Sequence, residues 1–157
     1  MKVLVAIDSS MTSHHALEQS LHLLNLSQTS FLLLSVETIV ATPNLSGLSP
    51  FGISGQESTF TLSQEADMLK AEENRTLSAL EWAKEFCQRN NVDCRTILEI
   101  GDPKHIICQT AEREKPDLIV VGSDGRGIIE RALLGSISDY VLHHTHYPLL
   151  VIRNDNL

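Results

Sequence analysis

A glycine-rich segment in the second half of the chain contains the residue types that bind phosphate groups. It follows the strand-like run at 117–121 and contains Gly122, Gly125, Gly127, Gly135 and Ser136. Glycine lets the main chain approach a ligand closely, and a serine can begin a helix whose first N–H groups attract an anion. A buried strand, then glycines, then a helix N-terminus predict a nucleotide site.

The spacing of these glycines excludes two common nucleotide-binding motifs. A Walker A loop needs a lysine after its last glycine, and no lysine lies between residues 116 and 157. A dinucleotide fingerprint needs a third glycine at position 130, which is Glu130. The observed spacing is instead G-x2-G-x9-G-S, read from Gly122, Gly125, Gly135 and Ser136.

This spacing resembles the motif of the ATP-binding branch of the universal stress protein family. The start of the chain is also similar to that family, with an apolar run at 3–7 followed by Asp8, Ser10 and Ser13. The ending at 148–153 is a third similar segment. The resemblance covers nearly the whole chain and implies an adenine nucleotide site, with ATP as the ligand, or ADP or AMP, together with Mg²⁺.

The resemblance places Asp8 and Val36 on the adenine and ribose side of the site, Val36 largely through its backbone. Ala6 and Val121 would flank the base. The full set of predicted binding residues is Ala6, Asp8, Val36, Val121, Gly122, Gly125, Arg126, Gly127, Gly135, Ser136, Ile137 and Ser138. No catalytic residue and no protein ligand for a metal is predicted.

The phosphate side is predicted from the glycine segment. Gly122 and Gly125 would bring the backbone against ribose and phosphates, while the N–H groups at Ser136 and Ile137, after Gly135, would cradle phosphate. The hydroxyls of Ser136 and Ser138 could add hydrogen bonds. Arg126 could pair with a phosphate or point to solvent, and both interpretations remain open.

Continuous apolar runs predict strands that are covered on both faces, as in a parallel sheet. The predicted strands are 3–7, 31–36, 96–100, 117–121 and 149–152, and the predicted helices are 11–26, 62–90, 103–115 and 137–145. Asp8 ends the first strand and Gly122 ends the fourth, so a shared ligand requires these two strands to be neighbours. The order 3-2-1-4-5 satisfies this requirement, and the resemblance implies the same order.

The chain is therefore predicted to be a single α/β domain at 1–157, a Rossmann-like sandwich with a five-stranded parallel sheet and four helices on both faces. A long loop is predicted at 38–61, where Pro, Gly, Ser and Thr are frequent. Ser136 is predicted to cap the fourth helix with Asp139 at the third position, and Asp102 to cap the third helix with Pro103 in its first turn.

Composition excludes several classes of protein. A net charge of −8 disfavours a nucleic-acid binder and docking on an anionic membrane. The odd number of cysteines, Cys87, Cys94 and Cys108, without C-x-x-C spacing fits a cytoplasmic protein. His143, His144 and His146 lack further converging ligands, so no metal site is predicted there. His14 and His15 are expected to form a solvated helix start.

The predicted function is a regulatory stress-response module that binds ATP and acts through conformational change and an unidentified protein partner. The apolar last strand, 149–152, is predicted to be an edge strand that pairs with a second copy in a homodimer. Three alternatives remain: a slow ATPase or phosphotransferase at the same site, a sensor of AMP or a cyclic adenine nucleotide, and a dimeric interaction protein with an empty pocket. No general base is evident, which disfavours an enzyme.

Overall fold

The computed structural model describes residues 1–38, 55–124 and 134–154. Within these ranges the strands are β1 (Lys2–Ile7), β2 (Ser30–Glu37), β3 (Asp93–Ile100), β4 (Leu118–Asp124) and β5 (Leu149–Asn154). The helices are α1 (Met11–Leu23), α2 (Gly55–Arg89), α3 (Pro103–Glu114) and α4 (Ser136–His144), with a 3₁₀ turn at Leu26–Gln28. Gly125, Arg126, Gly127 and most of the predicted loop, residues 39–54, lie outside the described residues.

The five strands form one parallel sheet in the order β3-β2-β1-β4-β5. This order and the four α-helices of the described part confirm the prediction. Val3, Leu4 and Val5 of the central strand β1 have no exposed surface. Because successive strand residues point to opposite faces, full burial of all three requires cover on both sides of the sheet.

Two hydrophobic clusters provide that cover. On one face, Val3, Val5 and Phe31 pack with α1 and α2 through residues such as Leu17 and Ala83. On the other face, Leu4 and Leu32 pack with α3 and α4 through Ile107 and Val141. The sheet is thus the middle layer of a three-layer sandwich. None of the helices in the described ranges is long and apolar enough to cross a membrane.

The third helix begins as the sequence predicts. The carboxylate of Asp102 accepts a hydrogen bond from the N–H of Lys104, and Pro103 occupies the first turn. Asp102 therefore satisfies one of the N–H groups that lack a partner at a helix start, and proline has no N–H that would need one.

The second helix begins earlier than predicted. It starts at Gly55, so residues 55–61, which the sequence analysis assigned to the long loop, are helical and that part of the prediction was wrong. The composition of this stretch is rich in Ser and Thr, but neither proline nor glycine occurs between residues 56 and 100. Without a residue that interrupts helical hydrogen bonding, the helix extends back to Gly55.

Two boundaries near the glycine segment also differ from prediction. The fourth helix is capped by Gly135, not by Ser136, which is the first helical residue. Strand β4 does not end at Gly122 but continues to Asp124, because Gly122 and Ser123 stay paired with Ile152 and Arg153 of β5. Both differences arise from contacts with distant elements that local sequence patterns do not encode.

Candidate functional site

The carboxyl edge of the sheet opens between β1 and β4. Strand β4 pairs with β1 only as far as Val120, which lies opposite Val5. Beyond that point β4 remains paired with β5 to Asp124, while β1 remains paired with β2 to Ile7. The two central strands therefore part at the point where the chain order of the sheet reverses, which is where open α/β sheets bind ligands.

A crevice occupies this opening. It is lined by Ala6, Ile7, Asp8, Ser10, Ser13, Leu34, Val36, Pro103, Ile107, Val121, Gly122 and Ile137. Its floor is apolar and comes from strand ends and the first turns of α3, while its polar groups come from the turn between β1 and α1. An apolar crevice with a few placed polar groups is the usual form of a site for a small organic ligand.

The turn after β1 holds the Asp8 carboxylate in a fixed position. One carboxylate oxygen accepts hydrogen bonds from the Ser10 N–H at 2.9 Å and from the Ser10 hydroxyl. The Ser13 hydroxyl donates to the Asp8 carbonyl oxygen at 2.8 Å, and Ser10 in turn caps α1 by accepting from the Ser13 N–H. The Asp8 side chain is nevertheless exposed at the crevice, so its other oxygen can accept a hydrogen bond from a ligand.

Gly122 is required by the packing of α1 against β4. A Cβ atom at this position would lie 2.8 Å from the carbonyl oxygen of Thr12 and 2.9 Å from its carbonyl carbon. Because these are backbone atoms in the first turn of a helix, they cannot move aside cheaply. The close approach also brings the Gly122 backbone to the wall of the crevice.

Gly135 begins α4 in a different way. Its N–H donates to the Ser123 hydroxyl at 3.1 Å, and its carbonyl oxygen accepts from the Ser138 hydroxyl at 2.9 Å. Ser138 is buried and its hydroxyl points back to Gly135. Since glycine has no side chain to cap the helix, the first N–H groups of α4 receive no side-chain cap from it. An anion is the kind of group that such a helix start attracts.

The packing of the described residues gives no steric reason for a glycine at position 135. Its φ is −68°, which any residue adopts. A Cβ atom there would meet the hydroxyl oxygens of Ser138 and Ser123 at 3.7 and 3.8 Å, which are ordinary contact distances. The described packing therefore requires glycine at Gly122 and tolerates a side chain at Gly135.

His14, which was expected to form a solvated helix start together with His15, lies near the start of α1 but is half-buried, as His15 is. Its ring stacks on Trp82 with 3.8 Å between centroids, and its Nε2 atom is buried without a hydrogen-bond partner among the described residues. Burial lowers the pKa of His14, and the negative charges of Asp8 and Glu18 oppose that shift. The neutral ring thus joins α1 to α2 by aromatic packing.

The histidines at the end of α4 serve the helix itself. The Nδ1 atoms of His143 and His144 hydrogen-bond with the carbonyl oxygens of Asp139 and Tyr140, at 2.9 and 2.8 Å. Each ring therefore folds back along α4 onto a carbonyl group one helical turn earlier. Across residues 1–38, 55–124 and 134–154, no group of three or more His, Cys, Asp or Glu residues could hold a metal ion.

The sequence and fold of this chain are similar to those of known proteins. The family model of universal stress proteins matches residues 1–153. The chain belongs to the universal stress protein family. The universal stress protein YxiE of Bacillus subtilis is 33% identical over 155 residues, which cover 97% of this chain and 98% of that protein.

Other universal stress proteins match over different lengths. A universal stress protein A-like protein of Arabidopsis thaliana is 33% identical over 89 residues, which are 57% of this chain and 51% of that protein. The crystal structure of a universal stress protein family protein from Arabidopsis thaliana with AMP bound superposes with a TM-score of 0.70. That alignment has 27% identity and covers 99% of this chain and 93% of the other.

Half of the predicted binding residues line the crevice of this universal stress protein. They are Ala6, Asp8, Val36, Val121, Gly122 and Ile137. Gly135 and Ser136 lie at the start of α4 beside Ile137, and Ser138 is buried beneath them. Gly125, Arg126 and Gly127 lie outside the described residues, so their assignments stay predictions.

Six lining residues were absent from the predicted set of binding residues: Ile7, Ser10, Ser13, Leu34, Pro103 and Ile107. Ser10 and Ser13 belong to the turn after β1 that holds Asp8. Leu34 lies two positions before Val36 on β2 and therefore shares its face of the sheet. Pro103 and Ile107 are one helical turn apart at the start of α3, which follows the carboxyl end of β3. Ile7 directly precedes Asp8. Pro103 and Ile107 could have been predicted from the sequence. The carboxyl ends of parallel strands share one edge of the sheet, so a helix that follows such a strand end begins beside the site.

Proposed function

We propose that this protein binds an adenine nucleotide in the crevice between β1 and β4, with ATP as the ligand. The observation that carries the proposal is the parting of β4 from β1 after Val120, which leaves a crevice between Asp8 and the start of α4. The nucleotide bound by the Arabidopsis relative, AMP, supports the adenine nucleotide class. The resemblance of the G-x2-G-x9-G-S spacing to the motif of the ATP-binding branch favours ATP, although the spacing itself does not fix the number of phosphates.

The parts of the nucleotide are assigned by the chemistry of the lining. The apolar side chains of Ala6 and Val121 suit the faces of the base, and the exposed oxygen of Asp8 suits a ribose hydroxyl or the adenine amino group. The ladder between β1 and β2 ends at Ile7 and Ser35, so the backbone of Val36 lies just beyond it. The N–H groups at the start of α4 suit a phosphate, accompanied by Mg²⁺.

We propose a regulatory binding module rather than an enzyme. Asp8 is the only ionisable side chain in the described lining of the crevice, and its carboxylate already accepts two hydrogen bonds from Ser10. Phosphoryl transfer needs a group that positions a nucleophile and partners for the metal ions. Bound nucleotide would instead shift the population of the surface that a protein partner recognises. We place this function in the cytoplasm, where the free thiols of all three cysteines are stable.

The first test identifies the nucleotide that the purified protein carries. Protein is denatured directly after purification, and the released compounds are separated by chromatography and identified by mass spectrometry. We expect ATP or ADP in near-stoichiometric amount. A cyclic nucleotide or AMP alone would favour the sensor, and a steady change from ATP to ADP would favour the slow ATPase. Release of nothing, followed by no heat on titration with Mg-ATP, would contradict nucleotide binding.

We further propose that residues 1–157 form one domain that pairs with a second copy through β5. The sheet order leaves β5 at an edge, and Leu149, Leu150 and Val151 are only half-buried. The N–H of Ile119 in β4 donates to the carbonyl oxygen of Pro148 at 2.8 Å. The backbone groups of Pro148 therefore face β4. Because the backbone groups of successive residues point to opposite sides of a strand, the N–H of Leu150 also faces β4 and that of Val151 faces the open edge.

Val151→Pro is expected to convert the dimer to a monomer. Proline removes the N–H that faces the open edge but leaves the donors that face β4 in place, so pairing between copies is lost selectively. Light scattering at tens of micromolar protein measures the mass. Val151→Ala keeps the N–H and is the control, which should remain dimeric. A wild-type protein that is monomeric at this concentration would contradict the proposed interface.

A further inference from the structure

Two cysteines lie against each other in the core at the amino-terminal edge of the sheet. Cys87 is in the last turn of α2, and Cys94 is the second residue of β3. Both belong to the hydrophobic cluster between the sheet and helices α1 and α2. The Cys94 thiol is a close enough neighbour of Cys87 to act on its pKa, and neither cysteine is in a disulfide.

The turn between α2 and β3 brings the two thiols together. Asn91 has a φ of 55°, in the left-handed region that asparagine tolerates better than most residues. The chain thereby folds back on the end of the helix, and the N–H of Val92 donates to the carbonyl oxygen of Cys87 at 2.9 Å. The pairing of the cysteines thus depends on a hydrogen-bonded turn and not on a mobile side chain.

The two cysteines differ in their access to solvent. Cys87 has no exposed surface, whereas Cys94 is half-buried and lines a surface depression together with Lys2, Asp93 and Arg95. Burial, followed by the neighbouring Cys94, raises the pKa of Cys87. Cys87 therefore remains a protonated thiol, and a reagent from solvent meets Cys94 first.

We propose that Cys94 and Cys87 form a reversible disulfide when the protein meets a peroxide, and that this pair is a redox modification site of the protein. Cys94 is the sulfur that reacts with the oxidant, and Cys87 is the resolving thiol. The site lies at the edge of the sheet opposite Asp8, so it is independent of the proposed nucleotide crevice.

The chemistry balances with hydrogen peroxide as the oxidant. The Cys94 thiolate attacks one peroxide oxygen, which forms an S–O bond, breaks the O–O bond and leaves a sulfenic acid and hydroxide. The Cys87 sulfur then attacks the Cys94 sulfur, which forms the S–S bond and releases the sulfenic oxygen as water with the Cys87 proton. The two sulfurs lose two electrons in total, and the peroxide becomes two molecules of water once the hydroxide is protonated.

The product is easy to identify because trypsin cleaves between the two cysteines. Cleavage after Lys84, Arg89 and Arg95 places Cys87 in peptide 85–89 and Cys94 in peptide 90–95. Full-length protein is reduced, freed of reductant, exposed to hydrogen peroxide, alkylated and digested. We expect mass spectrometry to find peptides 85–89 and 90–95 joined by a disulfide that dithiothreitol removes.

Three variants test the assigned roles. In Cys94→Ser the link is lost and Cys87 is recovered as a free thiol after unfolding, because peroxide does not reach it. In Cys87→Ser the sulfenic acid at Cys94 persists and is trapped by dimedone. Cys108→Ser is the matched control, since Cys108 packs on the opposite face of the sheet, and the link should form as in the wild type.

Two results would overturn the proposal. One is wild-type protein in which Cys94 is recovered as sulfinic acid while Cys87 remains free, because a neighbouring thiol would have resolved the sulfenic acid first. The other is a link that joins Cys94 residues of two chains or involves Cys108. If Cys87→Ser does not fold, the peptide map of the wild type and the Cys94→Ser variant, which changes only a half-buried residue, still test whether the disulfide forms.

Discussion

Gly122→Ala is expected to destabilise the protein by about 1–3 kcal/mol, the range typical of overpacking in a well-packed interior. The added methyl group would lie 2.8 Å from the carbonyl oxygen of Thr12 and 2.9 Å from its Cγ2 atom. Relief requires α1 to move away from β4, which would disturb the Ser10 cap and the bonds from Ser10 to Asp8. Thermal unfolding should report a midpoint lowered by roughly 2–12 °C for a chain of this size.

Gly135→Ala is the matched control for this prediction, because it makes the same chemical change in the same motif. Its backbone is extended with a φ of −68°, and the new methyl group would meet only hydroxyl oxygens at 3.7 Å or more. We expect its unfolding midpoint to stay within about 2–4 °C of the wild type, the shift that about 1 kcal/mol produces at this size. Equal midpoints for Gly122→Ala and wild type would show that α1 does not pack this closely on β4.

The comparison also decides which glycine is useful for studying ligand binding. A loss of nucleotide binding in Gly122→Ala would reflect the displaced α1 and the displaced Asp8 turn as much as any contact with the ligand. A loss in Gly135→Ala, with an unchanged midpoint, would instead indicate that a ligand approaches this position closely. Glycines of one motif can therefore be present for different physical reasons.

The sequence predicts the layers of this fold because most of its strands contain a continuous apolar run, whereas the edge strand β3 carries the charged residues Asp93, Arg95 and Glu99. Residues 3–7 and 117–121 read as strands buried on both faces, and both are central in the sheet. The placement of β1 beside β4 followed from one further condition, that Asp8 and Gly122 reach the same ligand, because parallel strands place all their carboxyl ends at one edge. The order 3-2-1-4-5 satisfies this condition without being fixed by it, and the resemblance to the universal stress protein family implied the complete order.

The features that the sequence did not predict depend on contacts between distant segments. Gly135 occupies the N-cap position of α4, and the hydroxyl of Ser123 in β4 accepts a hydrogen bond from its N–H. A local pattern instead favours Ser136, whose hydroxyl is the better cap in isolation. The burial of His14 likewise depends on Trp82, which α2 brings against α1 from far along the chain. Neither contact leaves a periodic signal in the residues around it.

Asp8→Asn is expected to weaken nucleotide binding by about 10- to 150-fold, because hydrogen bonds to charged groups contribute roughly 1.5–3 kcal/mol. One oxygen of Asp8 is held by the N–H and the hydroxyl of Ser10, which leaves the other for the ligand. Asparagine has the same shape but only one oxygen. If that oxygen keeps the bonds to Ser10, its NH₂ group faces the ligand and cannot accept a hydrogen bond from it.

Calorimetric titration with Mg-ATP measures this loss. Asp93→Asn is the control, because Asp93 is also an exposed aspartate at a strand end but lies at the amino-terminal edge of the sheet. Its dissociation constant should equal that of the wild type. Wild-type affinity in Asp8→Asn would show that the carboxylate serves only to hold the start of α1.

The identity of the ligand group that Asp8 contacts follows from repeating the titration with ADP and AMP. A bond to ribose or adenine is common to all three nucleotides, so Asp8→Asn should weaken each of them by the same factor. A loss that grows with the number of phosphates would place the carboxylate near Mg²⁺ instead, since the metal binds through the phosphates. Equal factors are expected, because the start of α4, and not the Asp8 turn, offers the N–H groups that suit phosphate.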